Sequence, residues 1–175
     1  MIIIDGYNLL HASGIFGAER GPRGFQQSRH ALLDHLLELL GPEAARTLVV
    51  FDAAHAPDGL PARLQHGPIR VWFAREYPDA DSLIEELLED EPARGNIVVS
   101  SDRRLQVAAR RQRATAVGSE QWLAERRAAL RAARRPRETK PPEPGPEGVE
   151  AWKRFFGMWK LAARLRPASQ FAVEG

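Results

Sequence analysis

The sequence contains no cysteine, and this absence excludes a disulfide framework, a thiolate nucleophile and a cysteine-ligated metal. A chain without cysteine suits a reducing compartment, so the expected location is the cytoplasm. The sequence also lacks a long apolar run. The opening stretch Met1–Ile4 is only four residues long, and no basic segment precedes it. We therefore expect neither a secretory signal nor a membrane partner.

Nucleotide-binding motifs are missing as well. The glycine-rich stretch GAERGPRG at residues 17–24 fits neither the GxGxxG dinucleotide fingerprint nor the GxxxxGK phosphate loop. Nucleotide cofactors are therefore not expected. This stretch is either a flexible connection or a flap whose Arg20 and Arg23 contact phosphate groups of a ligand.

The net charge of +2 hides an uneven distribution of charge along the chain. Residues 1–102 hold 8 Lys/Arg and 16 Asp/Glu, whereas residues 103–175 hold 17 and 7. A basic half is typical of proteins that bind phosphate backbones, although exposed helices also carry solvated arginines. The arginines expected to contact the phosphates of a nucleic acid are Arg103, Arg104, Arg110, Arg111 and Arg113.

Short apolar runs alternate with helical patterns, which predicts βαβ units and a mostly parallel sheet. We expect a three-layer α/β/α fold with about five strands. Leucine stripes at residues 32–40 and 83–88 predict helices that face the core, and a helix capped by Ser119 ends before Pro136. The predicted strands are Ile2–Asp5, Thr47–Asp52, Ile69–Phe73, Asn96–Ser100 and Ala114–Val117. A turn is expected at Gly6, directly after the first of them.

The composition predicts one domain over residues 1–135, a proline-rich linker over 136–148 and a tail over 149–175. The tail begins with a basic amphipathic helix over residues 149–166 that carries an aromatic stripe. That stripe either docks on the sheet domain or on a second subunit, as in a homodimer, or it contacts RNA, a ribosomal surface or another protein.

Four aspartates follow predicted strands or open a helix at one edge of the sheet. Asp5 ends the first strand, Asp52 ends the second, Asp102 follows the fourth, and Asp81 opens the helix that contains the second leucine stripe. Ligands of open α/β sheets bind outside the carboxyl ends of the strands. Because crowded carboxylates repel one another, and because hard oxygen ligands suit Mg²⁺ or Mn²⁺, one of these cations is the expected cofactor.

Several of these residues have a second interpretation. Asp52 either joins the acids or caps the loop that follows it, and Asp81 either binds the cation or favours the amino end of its helix. Glu85 lies one turn beyond Asp81 and is expected to reach the metal through water. Ser100 and Ser101 either bind phosphate or make hydrogen bonds to Asp102.

The segments MIIIDGYNLL, VVFDA, DADSLIE and VVSSDRRL together resemble the successive motifs of the NYN domain, a PIN-like nuclease fold, in its YacP-like subfamily. The resemblance covers roughly residues 1–125. It implies a metal-dependent endoribonuclease in which Asp5, Asp81 and Asp102 bind the metal and Asn8 assists them. Asn8 alternatively only holds the turn, because its side chain bonds local backbone readily. The resemblance also allows the substrate to be messenger RNA on a ribosome.

The sequence departs from the pattern of PIN-like sites at one point. Such sites often carry a fourth acid about one helical turn past the third, whereas residues 103–106 here are Arg, Arg, Leu and Gln. Two functions therefore remain open. One is an endoribonuclease that uses Mg²⁺ or Mn²⁺ to activate water against a phosphodiester, and the other is an RNA-binding adaptor that cuts poorly. A metal-dependent phosphatase is disfavoured because no DxD pair follows the first strand.

Overall fold

A computed structural model describes residues 1–15, 22–55, 61–90, 93–134, 147–151 and 153–154. The chain divides into two units, Met1–Arg135 and Pro136–Gly175. In the second unit, residues 147–151 and 153–154 are helical, and the rest of the predicted tail helix lies outside the described residues. No helix in the described ranges is both long and apolar enough to cross a membrane.

The first unit contains a six-stranded sheet whose order is β3-β4-β2-β1-β5-β6. All neighbouring strands are parallel except β3 and β4, which pair antiparallel. The predicted mostly parallel α/β fold is therefore confirmed. The strands are β1 (Ile2–Asp5), β2 (Thr47–Asp52), β3 (Arg63–His66), β4 (Ile69–Ala74), β5 (Ile97–Val99) and β6 (Thr115–Val117). The α-helices are α1 (Gly6–Ser13), α2 (Pro22–Leu40), α3 (Ala80–Asp90), α4 (Arg103–Arg111) and α5 (Ser119–Arg134).

Two elements of the sheet domain differ from the sequence-based expectation. The sheet has a sixth strand, β3, which lies at its edge and turns into β4 through Gly67, whose φ is +56°. A helix, α1, begins directly at Gly6, where we expected only a turn. It begins without a loop because the Asp5 carboxylate caps it by accepting a hydrogen bond from the backbone N–H of Asn8.

Strand β1 is buried on both faces of the sheet, as its continuous apolar run predicts. Ile2 and Ile4 pack with α1, α2 and α5 on one face, whereas Ile3 packs with α3 and α4 on the other. All three isoleucines have no exposed surface. Packing on both faces therefore fixes the end of this strand and, with it, Asp5, its last residue.

Candidate active site

Asp5 lies at the carboxyl end of β1 and is only 7% exposed. Its Oδ1 accepts a hydrogen bond from the Asn8 N–H at 3.2 Å, and its Oδ2 accepts one from the Ser100 hydroxyl at 3.0 Å. Burial raises the pKa of Asp5 above its usual range; these hydrogen bonds lower it, and the charges of Asp102 and Asp52 raise it further. Asp5 is therefore fixed in place while its charge remains unfavourable.

Asp102 caps the amino end of α4, the helix that follows β5. Its Oδ1 accepts hydrogen bonds from the backbone N–H groups of Arg104 at 2.6 Å and Leu105 at 3.4 Å. The N–H of Asp102 donates to the hydroxyl oxygen of Ser100 at 3.0 Å, and Ser100 is fully buried. Because the same hydroxyl donates to Asp5, Ser100 connects two of the predicted acids.

Asp81 lies in the first turn of α3 and is partly buried. Burial raises the pKa of Asp81 to about 6, and the neighbouring charges of Asp5, Asp102 and Asp79 raise it while Arg104 lowers it. Within the described parts of the chain, no hydrogen bond reaches the Asp81 carboxylate. The structure therefore brings Asp5, Asp81 and Asp102 within electrostatic range of one another.

Asp52 has features of both interpretations that the sequence allowed. Its Oδ1 accepts a hydrogen bond from the Ala54 N–H at 2.8 Å, so it caps the turn after β2. It pairs in register with Ala74 of β4 at the carboxyl edge, and its charge raises the pKa of Asp5. Asp52 thus lies at the same edge as the other acids, and its carboxylate accepts a hydrogen bond from the local backbone.

Asn8 and Ser101 join three elements beside the acids. The Asn8 Oδ1 accepts hydrogen bonds from the Ser101 N–H at 2.9 Å and from the Ser119 hydroxyl at 2.7 Å. The Ser101 hydroxyl accepts from the Ser119 N–H at 3.0 Å and donates to Glu120. Both predicted residues therefore hold the ends of α1, α4 and α5 together.

Glu120 is an acid that the sequence analysis missed. It lies in the first turn of α5, which follows β6, and its carboxylate accepts the Ser101 hydroxyl and has a pKa below its usual range for that reason. The available signal was its position three residues after a strand predicted to end at Val117. The carboxyl edge thus carries a further acid in the helix that follows the neighbouring strand, rather than along α4.

Glu85 and Arg104 contact each other across α3 and α4. The Arg104 Nε and Nη2 donate to the two carboxylate oxygens of Glu85 at 2.9 and 2.7 Å, and Nη1 lies 3.5 Å from the carboxylate of Asp79. Asp79, another residue that the sequence analysis missed, also accepts hydrogen bonds from the N–H and hydroxyl of Ser82. In this structure, Glu85 and Arg104 therefore form an ion pair with each other.

The remaining arginines predicted to contact RNA are exposed on α4 and in the turn after it: Arg103, Arg110, Arg111 and Arg113. Arg113 has a φ of +60°, which is uncommon for a residue other than glycine. Arg20 and the side chain of Arg23 lie outside the described residues. The described part of the predicted RNA surface is therefore the exposed face of α4.

The comparison with known proteins decides the family. A family model, the YacP-like NYN domain, matches residues 2–147. The chain belongs to the YacP-like NYN domains. It therefore belongs to the PIN-like nucleases, and the family predicted from the motifs is confirmed. Among curated proteins, no relative matches the chain.

Two solved structures resemble this NYN domain. The crystal structure of Rae1 (YacP) from Bacillus subtilis has a TM-score of 0.56 and 24% sequence identity, and the match covers 94% of this chain and 87% of that one. A tryptophan-to-leucine mutant of the same Bacillus subtilis protein has a TM-score of 0.52 and 25% identity, with 75% and 77% covered. These likenesses agree with the six-stranded α/β architecture described above.

PIN-like nuclease domains generally use divalent metals. The described residues contain no group of three or more His, Asp or Glu side chains arranged to hold a metal ion. The chemistry of the donors nevertheless fits one, because Asp5 and Asp81 are hard oxygen ligands whose pKa values are raised by burial and by neighbouring carboxylates. A divalent cation would offset that repulsion.

Proposed function

We propose that this NYN domain is a metal-dependent endoribonuclease that hydrolyses RNA phosphodiester bonds and holds Mg²⁺ or Mn²⁺ with Asp5, Asp81 and Asp102. The observation that carries the proposal is the state of Asp81. This partly buried carboxylate has a pKa of about 6 because it is buried and lies near Asp5 and Asp102, and no described group donates a hydrogen bond to it. Acids held in such an unfavourable state are typical of functional sites.

Several residues of this chain have separate roles around the proposed metal site. A bound divalent cation supplies Lewis-acid chemistry, which activates water and stabilises charge on the scissile phosphate and the leaving oxygen. Ser100 orients Asp5 and Asp102 through one hydroxyl. The carboxylate of Asp81 would hold the cation, whose charge would lower the raised pKa of this acid and keep it ionised. Arg103, which is exposed beside Asp102, holds a phosphate of the strand.

The proposed substrate is single-stranded RNA in the cytoplasm, and messenger RNA on a ribosome is the form to test beside naked RNA. The exposed arginines of α4 support an RNA ligand because they form a basic surface next to the acids. A cleavage assay should therefore include both naked transcripts and ribosomes that are translating them.

The test combines cation binding with cleavage. Asp5→Asn and Asp81→Asn should each weaken Mn²⁺ binding, measured by calorimetry, about 10- to 100-fold and abolish Mg²⁺- or Mn²⁺-dependent cleavage on a gel. Asp90→Asn is the matched control, because Asp90 is exposed at the far end of the same helix, α3. Unchanged cleavage by Asp5→Asn would refute the assignment of Asp5 as a ligand.

A second function, an RNA-binding adaptor that cuts poorly, is favoured by two observations. No three carboxylates in the described ranges are arranged to hold a metal ion, and Arg104 already contacts Glu85 on α3 and Asp79 directly before it. An adaptor would bind RNA through α4 yet leave it intact with either cation, on naked RNA and on ribosomes alike. The cleavage assay above therefore separates the two functions.

A further inference from the structure

A cavity of about 320 Å³ opens beside the carboxyl end of β4, and its residues are not used in the proposed site. We call it the Trp72 pocket. Its volume is at the lower end of the range for small-molecule sites, which suits a ligand the size of one nucleoside. The side chains that give it chemical character are Arg63, Trp72, Arg75, Glu76, Tyr77 and Leu83.

The wall of the Trp72 pocket includes a cation–π pair. The Arg63 guanidinium lies 4.1 Å from the centroid of the Trp72 ring, and the two residues are directly opposite each other in the β3–β4 pairing. Arg63 is exposed and Trp72 is partly buried, so this flat pair is accessible from solvent. Unstacked RNA bases bind on aromatic rings and on arginine guanidinium planes, so the pair has the chemistry of a base platform.

The pocket lies next to the acids through the same loop and helix. Ala74, the last residue of β4, is opposite Asp52, so the pocket residues that follow β4 emerge at the carboxyl edge. The chain then enters α3, which carries both Asp81 and, two residues later, the pocket residue Leu83. A helix is about 10 to 12 Å wide, so a strand that crosses the amino end of α3 spans both places.

We propose that the Trp72 pocket binds one base of single-stranded RNA, while the neighbouring part of the same strand lies at Asp5, Asp81 and Asp102. The placement of the neighbouring strand at the three acids rests on the proposed function, whereas the binding of a base in the pocket does not. Stacking fits this pocket because its platform is a ring and a guanidinium, and the charge of exposed Arg63 favours a ligand that carries phosphates.

The test measures how much RNA affinity is lost when one base is removed, when the Trp72 ring is removed, and when both are removed together. Fluorescence anisotropy follows a labelled ten-nucleotide RNA binding to the full chain in EDTA, with one abasic nucleotide moved along the RNA. At one position the abasic RNA should bind wild type about 5- to 100-fold more weakly. Trp72→Leu should cause a similar loss with intact RNA, and the two changes together should cost no more than either alone.

Further variants guard against a folding defect. Arg63→Gln alters an exposed residue and should reduce the abasic effect in the same way, whereas Trp72→Tyr keeps a ring and should keep most of the affinity. Arg131→Gln is the control: it removes one exposed positive charge from α5, and the full abasic effect should remain.

Two results would overturn the proposal. One is an abasic effect that is equally large in wild type and in Trp72→Leu and Arg63→Gln. The other is a mononucleotide that displaces the labelled RNA as tightly as unlabelled RNA does, which would assign the pocket to a free nucleotide. Because no cation is present, these results do not depend on cleavage. A chain that never cuts RNA can still bind a base in the pocket, and a proven nuclease can still lack that binding.

Discussion

Replacing Asp81 with asparagine should make the protein more stable at alkaline pH. In wild type, folding moves this carboxylate from water, where its pKa is 3.8, into a partly buried position among acids, where its pKa is about 6. Asparagine keeps the shape and removes the charge. The variant should therefore lose the repulsion that wild type bears, although it also loses a proposed metal ligand.

The size and the pH range follow from the raised pKa. A rise of about two units corresponds to about 3 kcal/mol at most, and since Asp81 is partly exposed, screening by solvent reduces this to about 1 kcal/mol. For an acid whose pKa is higher in the folded state, the penalty is absent below pH 3.8, grows up to about pH 6 and is constant above it. The variant should thus gain about 1 kcal/mol at pH 8 and little near pH 4.

Urea unfolding in EDTA at pH 4, 6 and 8 measures this difference. Asp90→Asn, the exposed change in the same helix, should shift the free energy of unfolding by less than about 0.5 kcal/mol at every pH. Adding Mn²⁺ at pH 8 should stabilise wild type more than Asp81→Asn, because only wild type keeps all three carboxylates. An equal effect of Asp81→Asn at pH 4 and pH 8 would refute the claim that charge at this residue opposes folding.

Three further variants test the elements around the site. Gly6→Ala should lower the free energy of unfolding by about 1–3 kcal/mol in urea, since the added Cβ would lie 2.4 Å from a ring carbon of fully buried Phe51. Asn8→Ala should cost about 1–3 kcal/mol in the same assay, because it removes the acceptor for an N–H and a hydroxyl; an unchanged midpoint would contradict the network. Arg103→Ala should reduce the salt dependence of RNA binding by about 0.7 in log–log slope for every sequence, and an unchanged slope would mean that this arginine contacts no phosphate.

The parallel strands were predictable because their residues are buried on both faces. Strands β1 and β2 have the predicted bounds, since continuous runs of apolar, largely β-branched residues fit few other structures. Strand β3, with the sequence RLQH, has no such run because it lies at the edge, with alternate residues exposed. Its formation depends on pairing with β4, which no pattern within those four residues encodes.

Gly6 illustrates a correct residue with an incomplete explanation. The sequence predicted a turn there because glycine permits unusual backbone angles. The structure instead begins α1 at Gly6, and the reason for glycine is space, since the Phe51 ring occupies the position of a side chain. That contact joins the start of α1 to β2, which lie far apart in the sequence, so local propensity could not reveal it.

The edge that carries the acids was predictable from topology, and a hydrogen bond to Asp102 was one of the two roles expected of Ser100, but its hydrogen bond to Asp5 was not expected. Parallel strands bring their carboxyl ends together, so Asp5, Asp52 and Asp102 follow from the strand order. The hydroxyl of Ser100 between Asp5 and Asp102 depends on side-chain rotamers. Glu120 was missed because a further acid was sought one turn along α4, whereas the structure has it on the helix after the next strand.

Arg104 gives the departure from the PIN-like pattern a physical meaning. Its positive charge lowers the pKa of Asp81 while its guanidinium binds Glu85 and approaches Asp79, so it already offsets part of the negative charge of α3. A divalent cation at Asp81 would lie near that charge and would bind less tightly for it. The nuclease and adaptor functions therefore differ in which positive charge offsets the negative charge of Asp81. In the nuclease it is a divalent cation held with Asp5 and Asp102. In the adaptor it is Arg104, which lies in the segment where PIN-like sites often carry an acid.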